Sequence, residues 1–128
     1  MEEGIEILRK SWAEEEFSHR GKHFKIKSVN MTPKPVQKPI PIWIGAFTEP
    51  AIRRAARIGA PLYVPAIGVI PIVKSLFDLH SSLLKEYGRN PDAFEKPLVR
   101  EVYISDERGD VVWEKIKEHG TYTAKGYA

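Results

Sequence analysis

The stretch PKPVQKPIPIWIGAFTEPAIRRAARIGAP, Pro33 to Pro61, changes character three times. Pro33, Pro35, Pro39 and Pro41 fix φ and remove backbone donors, so the first part is neither helix nor central strand and is expected to run extended over the surface. Ile40 to Ala46 is almost continuously apolar and bounded by proline and glycine, the pattern of a strand buried on both faces in a parallel sheet. Small residues follow. Thr48 is then placed to cap a helix with Glu49 and Pro50 in its first turn, and Ala51, Ile52, Ala55 and Ala56 form the buried stripe of a helix ending near Gly59. The stretch reads as strand, tight turn, helix.

The same grammar continues downstream. Leu62 to Ala66 is a second apolar run of strand length. Val73, Leu76, Phe77, His80, Leu83, Leu84 and Tyr87 recur at i, i+3, i+4, i+7 spacing and predict a helix, with Gly88 where a C′ residue belongs. After a loop from Arg89 to Pro97, Leu98 to Ser105 reads as a third strand. Asp106 to His119 reads as a helix with Val112, Trp113 and Ile116 inward and Gly120 as its stop. Upstream, Glu2 to Phe17 carries Ile5, Leu8 and Trp12 on one face of an amphipathic helix. Phe17 to Val29 alternates around Gly21-Lys22, which predicts an exposed two-stranded ribbon. Strand and helix thus alternate three times from Ile40 onward. That order predicts an α/β fold over residues 1–128 as one domain, with about three parallel strands, right-handed crossovers and helices packed outside. Three strands are few for such a sheet, and the expectation is an incomplete one.

Composition bounds the class. The 128 residues are 42% hydrophobic and 29% charged, as in a globular domain. Net charge is +3, but bases alternate with acids along most of the chain, which argues against a nucleic-acid partner. Cysteine is absent, so disulfides, thiol nucleophiles and thiolate zinc sites are excluded. Glu2 and Glu3 after Met1 have the wrong charge for a secretory leader, and no apolar run approaches the ~20 residues that span a bilayer. The expected location is the cytoplasm, with no membrane contact.

Several residues invite functional readings. His19 and His23 are four apart, as in a helical metal pair, but Gly21 and the ribbon pattern argue against a metal. His80 falls on an apolar helix face, where a satisfied core histidine is expected. Trp12, Trp43 and Trp113 read most simply as core, although their edges could meet an aromatic ligand. Arg53 and Arg54 could assist an anion or be solvated helix charges. No nucleophile–base pair or acid pair can be assigned, so catalytic residues stay unknown.

The segment from Glu3 to Ala60 resembles the C-terminal half of the bacterial-luciferase-like flavin oxidoreductases. The resemblance rests on an ordered set of pieces: the helix through Trp12, the ribbon Phe17…Gly21-Lys22…Phe24, Pro33-Lys34-Pro35-Val36-Gln37, the strand Pro41-Ile42-Trp43-Ile44-Gly45 and the Ala-Arg-rich helix. It continues more loosely through KEYGRNPDAF and REVYISDERGD. Members of that family are TIM barrels that use FMN or an 8-hydroxy-5-deazaflavin, with sites at the C-terminal ends of the strands. The resemblance implies a partial (half) barrel and places Gly45, Ala46, Phe47 and Thr48 against the phosphate-bearing tail of the cofactor. The physical rationale is that a helix N-terminus presents amide N–H groups and the positive end of a dipole, while small residues allow close approach. Ala46 stands where the family has a second glycine, and Ala60-Pro61-Leu62-Tyr63 replaces its Asp-Gly-aromatic sequence.

The function implied is that of a luciferase-like flavin-dependent oxidoreductase or monooxygenase, incomplete as a single chain. The alternatives are a non-catalytic half-barrel that self-associates or serves as an interaction subunit, and an anion- or nucleic-acid-binding module. A complete barrel of this type needs about 250 residues. Because open sheet edges and uncovered strand faces are costly, a two-fold homodimer is expected.

Overall fold

The computed structural model describes residues 1–65, 69–100 and 102–126, with side chains as far as residue 117. The chain divides into two compact units, Met1–Ile42 and Trp43–Ala128.

In the first unit, helix α1 (Glu2–Ala13) carries Glu2 and Glu3 in its first turn and Lys10 in its last, which suits the helix dipole. Lys10 also pairs with Glu6 at 2.9 Å, one turn back. The helix stops four residues short of Phe17 because Glu14 turns extended, at φ −99° and ψ 140°. The predicted ribbon is present: β1 (Phe17–Arg20) pairs antiparallel with β2 (Lys25–Val29). Its register slips by one between the Phe17↔Val29 and His19↔Ile26 pairs. The extra residue lies on β2, where Ser28 takes φ +48°, the left-handed geometry of a bulge. Phe17 and His19 point inward and are buried. The proline-rich segment is tied to α1 by Lys34, whose Nζ donates to the carbonyls of Ser11 (2.9 Å), Glu14 (2.6 Å) and Glu15 (3.4 Å). A cation is well placed there, against the carbonyls at the helix C-terminus.

In the second unit, β3 (Ile44–Gly45) and β4 (Leu62–Tyr63) pair parallel, Ile44 with Leu62 and Gly45 with Tyr63. Helix α2 (Glu49–Ile58) connects them, and α3 (Ile70–Glu86) follows. Alternation along the strands turns Ala46, Leu62 and Val64 toward Ile52, Ala56, Val73, Leu76, Leu83 and Leu84, and this is the core of the unit. Both helices end as the glycines predict. Gly59 and Gly88 each take φ +69°. Bonds from Ala60 N–H to the Ala55 carbonyl (3.0 Å) and from Arg89 N–H to the Leu84 carbonyl (2.9 Å) close a six-to-one loop around each.

The three strands and the last helix differ from expectation. The strand predicted over Ile40–Ala46 is in ladder only at Ile44–Gly45, since Pro39 and Pro41 cannot donate. The strand predicted over Leu62–Ala66 is in ladder at Leu62–Tyr63, and Ala66 lies outside the described residues. The strand predicted over Leu98–Ser105 is a parallel bridge between Leu98 and Val64, set by Val99 N–H to the Val64 carbonyl at 3.2 Å. Beyond it Val102, Tyr103 and Ile104 are 80%, 59% and 92% exposed, and Glu101 lies outside the described residues. The last helix, α4 (Gly109–Gly126), starts later than Asp106 and runs through Gly120 rather than stopping there. Trp113 on α4 is 60% exposed while Val112 and Ile116 are half-buried, so the inward stripe is aliphatic. The architecture of this unit is mixed α/β. Among the described residues no helix is long and apolar enough to cross a membrane.

Candidate cofactor-binding turn

Gly45 to Thr48 joins the end of β3 to the start of α2. Thr48 occupies the N-cap with extended backbone, φ −99° and ψ 146°, as predicted. Its side chain makes no capping bond. Instead its carbonyl accepts the Ala51 and Ile52 amides, both at 3.0 Å. Pro50 has no N–H to offer, so the amides this end can direct at an anion are those of residues 46 to 49. Ala46 is buried against the core, whereas Phe47 and Thr48 are exposed.

Gly45 does not have a positive φ. A Cβ added to it would meet Tyr63 Cδ1 at 3.4 Å, an ordinary contact. Neither the backbone nor the packing of the chain itself requires glycine at this position. Trp43 precedes the turn with 48% of its surface exposed, not as a core residue, and its indole N–H donates to Glu95 Oε2 at 3.1 Å.

Sequence reading missed how the charges beside the turn are engaged. Arg53 donates to Glu49 at 3.0 Å and to Glu86 at 2.7 Å, tying α2 to α3. Hydrogen bonds to Glu49 and to the Tyr87 side chain, and the Glu86 charge, push its guanidinium above its ordinary range. The signal was available: Glu49 and Arg53 stand at the i, i+4 spacing of a helical ion pair. Arg53 is therefore occupied by carboxylates, and Arg54 has a partner of its own.

The remaining candidates fall elsewhere. His80 is buried, with Nε2 3.1 Å from the Ala60 carbonyl and its ring edge-on to Phe94 at 6.4 Å between centroids. It is the satisfied core histidine expected from its helix face. Burial lowers its pKa below the ordinary 6.5, against the opposing bond to Ala60. His19 is buried on the inward side of β1, and His23 is exposed at the ribbon turn.

Comparison with solved structures identifies the class of fold. The monooxygenase RslO1 from Streptomyces bottropensis superposes with a TM-score of 0.75 at 23% identity, covering 99% of this chain and 40% of that one. An F420-dependent secondary alcohol dehydrogenase, solved with an F420-acetone adduct, superposes at 0.61 and 16% identity over 75% of this chain and 29% of its own. The FMN-bound oxygenating constituent of 3,6-diketocamphane monooxygenase from the CAM plasmid of Pseudomonas putida, a type II Baeyer–Villiger enzyme, superposes at 0.54 and 18% identity, over 99% and 42%. The mixed α/β fold of this chain matches a part of each of these structures.

The chain belongs to the luciferase-like monooxygenase family, whose pattern it matches over residues 1–126. In sequence it is similar to the uncharacterized protein Rv0940c of Mycobacterium tuberculosis, 42% identical over 57 residues, which are 44% of this chain and 19% of that protein. An uncharacterized protein of Mycobacterium bovis matches to the same extent. The chain spans less than half the length of each of these proteins.

Proposed function

We propose that the chain is the cofactor-tail-binding portion of a luciferase-like flavin-dependent oxidoreductase or monooxygenase, with Gly45, Ala46, Phe47 and Thr48 cradling the phosphate of FMN or of an 8-hydroxy-5-deazaflavin. The observation that carries the reading is the turn itself. A parallel strand ends in a glycine that neither φ nor packing demands, and the helix that follows points its N-terminus to the surface. Close approach of a ligand is a reason for such a glycine, and the amides of residues 46 to 49 suit an oxyanion. Family membership supports a flavin or deazaflavin as the ligand, because family neighbours were solved with FMN and with an F420 adduct.

When bound, the cofactor supplies the redox chemistry, carrying a hydride or reacting with dioxygen. The chain's contribution is to bind and orient it. The turn fixes the anionic tail, Arg53 pairs with the Glu49 carboxylate in the first turn of the helix, and Trp43, held by Glu95, supplies an aromatic side chain just ahead of the turn. No side chain of this unit is assigned to proton transfer.

Three parallel strands of a barrel, formed by β3, β4 and the segment beginning at Leu98, are part of the same proposal. So is the incompleteness of the single chain. The exposed Val102, Tyr103 and Ile104 favour a second reading, a half-barrel that buries this edge against another copy of itself. Equilibrium dialysis of the purified protein against FMN and against the deazaflavin separates the readings. The first expects retained flavin absorbance; none at saturating cofactor, with concentration-dependent dimerisation, would favour the second.

A further inference from the structure

The ribbon turn holds a carboxylate of the chain's own. Glu3, on α1, turns its side chain onto β1 and the turn that follows it, where Oε1 accepts the Phe24 N–H at 2.8 Å and lies 3.1 Å from His19 Nε2. The His23 N–H reaches both oxygens, at 3.2 and 3.1 Å. The Glu3 and His19 side chains are 15% and 5% exposed, so this contact is largely withdrawn from water. Gly21 completes the enclosure. A Cβ there would lie 2.1 Å from Glu3 Oε1 and 2.5 Å from both Glu3 Cδ and His19 Nε2, so the carboxylate rests directly on the glycine.

Two convergent backbone N–H groups and a buried imidazole nitrogen form a donor set for one planar anion. In the first turn of a helix an acid ordinarily serves its own N-terminus, but here its bonds go to the ribbon. Glu6 and the His23 imidazole also face the site, and a charge on His23 favours the ionised Glu3 carboxylate. Glu6 Oε1 lies 3.8 Å from His19 Nδ1, which has no hydrogen-bond partner, and Glu6 is paired with Lys10.

We infer that residues 19 to 24 form a carboxylate-binding pocket that Glu3 fills as a tethered ligand, holding α1 to the ribbon through an anion contact. The ligand class is a small monocarboxylate. With the tether removed, the pocket accepts one from solution.

The test is chemical rescue of Glu3→Ala in the full chain, with sodium acetate as the probe and sodium chloride at equal ionic strength as the control. The expected result is a melting temperature that rises with acetate and not with chloride, together with saturable shifts of the His23 and Phe24 amide resonances. The unsubstituted protein should show neither, and adding Gly21→Ala should abolish both. Equal responses to acetate and chloride, or unmoved His23 and Phe24 amides, would overturn the inference. Should Glu3→Ala not fold, Glu3→Gln keeps the shape and removes the charge. Exchange of the His23 and Phe24 amide protons should then quicken by roughly tenfold, the difference between a charge-assisted and a neutral hydrogen bond. Unchanged exchange would likewise overturn it.

Discussion

Two segments of the second unit that read as strands have opposite fates. Leu62 and Val64 are fully buried, whereas Val102 and Ile104, from the short apolar stretch that follows Arg100 and Glu101, stand in solvent. The difference is in their neighbours. Leu62 is laddered to Ile44 and shares a buried core with Ile52, Ala56, Leu83 and Leu84, while the second segment meets the sheet through the Val64↔Leu98 bridge. Apolar sequence marks a segment that can be buried; a partner strand and a covering helix decide whether it is.

Truncation should give the largest contrast. Leu62→Ala removes a fully buried side chain from a packed site and should cost about 3–4 kcal/mol in urea unfolding, whereas Ile104→Ala should cost less than about 0.5 kcal/mol. A larger loss at Ile104 that grows with protein concentration would mean that this edge is covered in an assembly, and would sharpen the homodimer proposal.

The helix ends at the margins of the covered core come next. Gly59 and Gly88 share φ +69°, but a Cβ at Gly59 would also meet the Arg89 guanidinium at 2.8 Å, and one at Gly88 meets nothing within 4 Å. Each alanine substitution should cost about 1–2 kcal/mol for left-handed backbone. Gly59→Ala should be the worse of the two, because the Arg89 bond to the Arg57 carbonyl at 3.1 Å must also shift. Equal losses would mean that Arg89 moves aside freely.

Acid should weaken the covered side selectively. His80 is neutral in the fold and its pKa is lowered by burial, so below the ordinary 6.5 the unfolded chain binds a proton that the folded chain refuses. Stability should therefore fall as pH drops through 6.5 and level off once the folded-state pKa is passed. Chemical denaturation of His80→Gln across the same range should lack this slope. A modest effect is expected at the rim, where Arg53→Met breaks two partly exposed ion pairs and should cost less than about 1 kcal/mol.

How legible the sequence was follows the same division. Helix α2, its cap at Thr48, its end at Gly59, helix α3 with Gly88, the ribbon and the core role of His80 could all be read, because each depends on residues within a few positions of one another. The lengths of β3 and of the segment after Leu98 could not, since a ladder depends on neighbours that local apolarity does not report. Trp113 misled for a related reason: its spacing admitted an inward face, but the Val112–Ile116 pair took it. At the candidate turn, strand, glycine and helix start were visible in order. The Glu49–Arg53–Glu86 bridge was half visible, because Glu49 and Arg53 lie one turn apart while Glu86 comes from another helix. The Glu3 clasp was invisible, joining residues about twenty positions apart through backbone amides.

Titration of the isotopically labelled protein with FMN, followed by backbone amide NMR, tests the central claim most directly. The account predicts saturable shifts concentrated at residues 45 to 49, with inorganic phosphate moving the same amides less far. Shifts concentrated elsewhere, or none at saturating FMN, would contradict it.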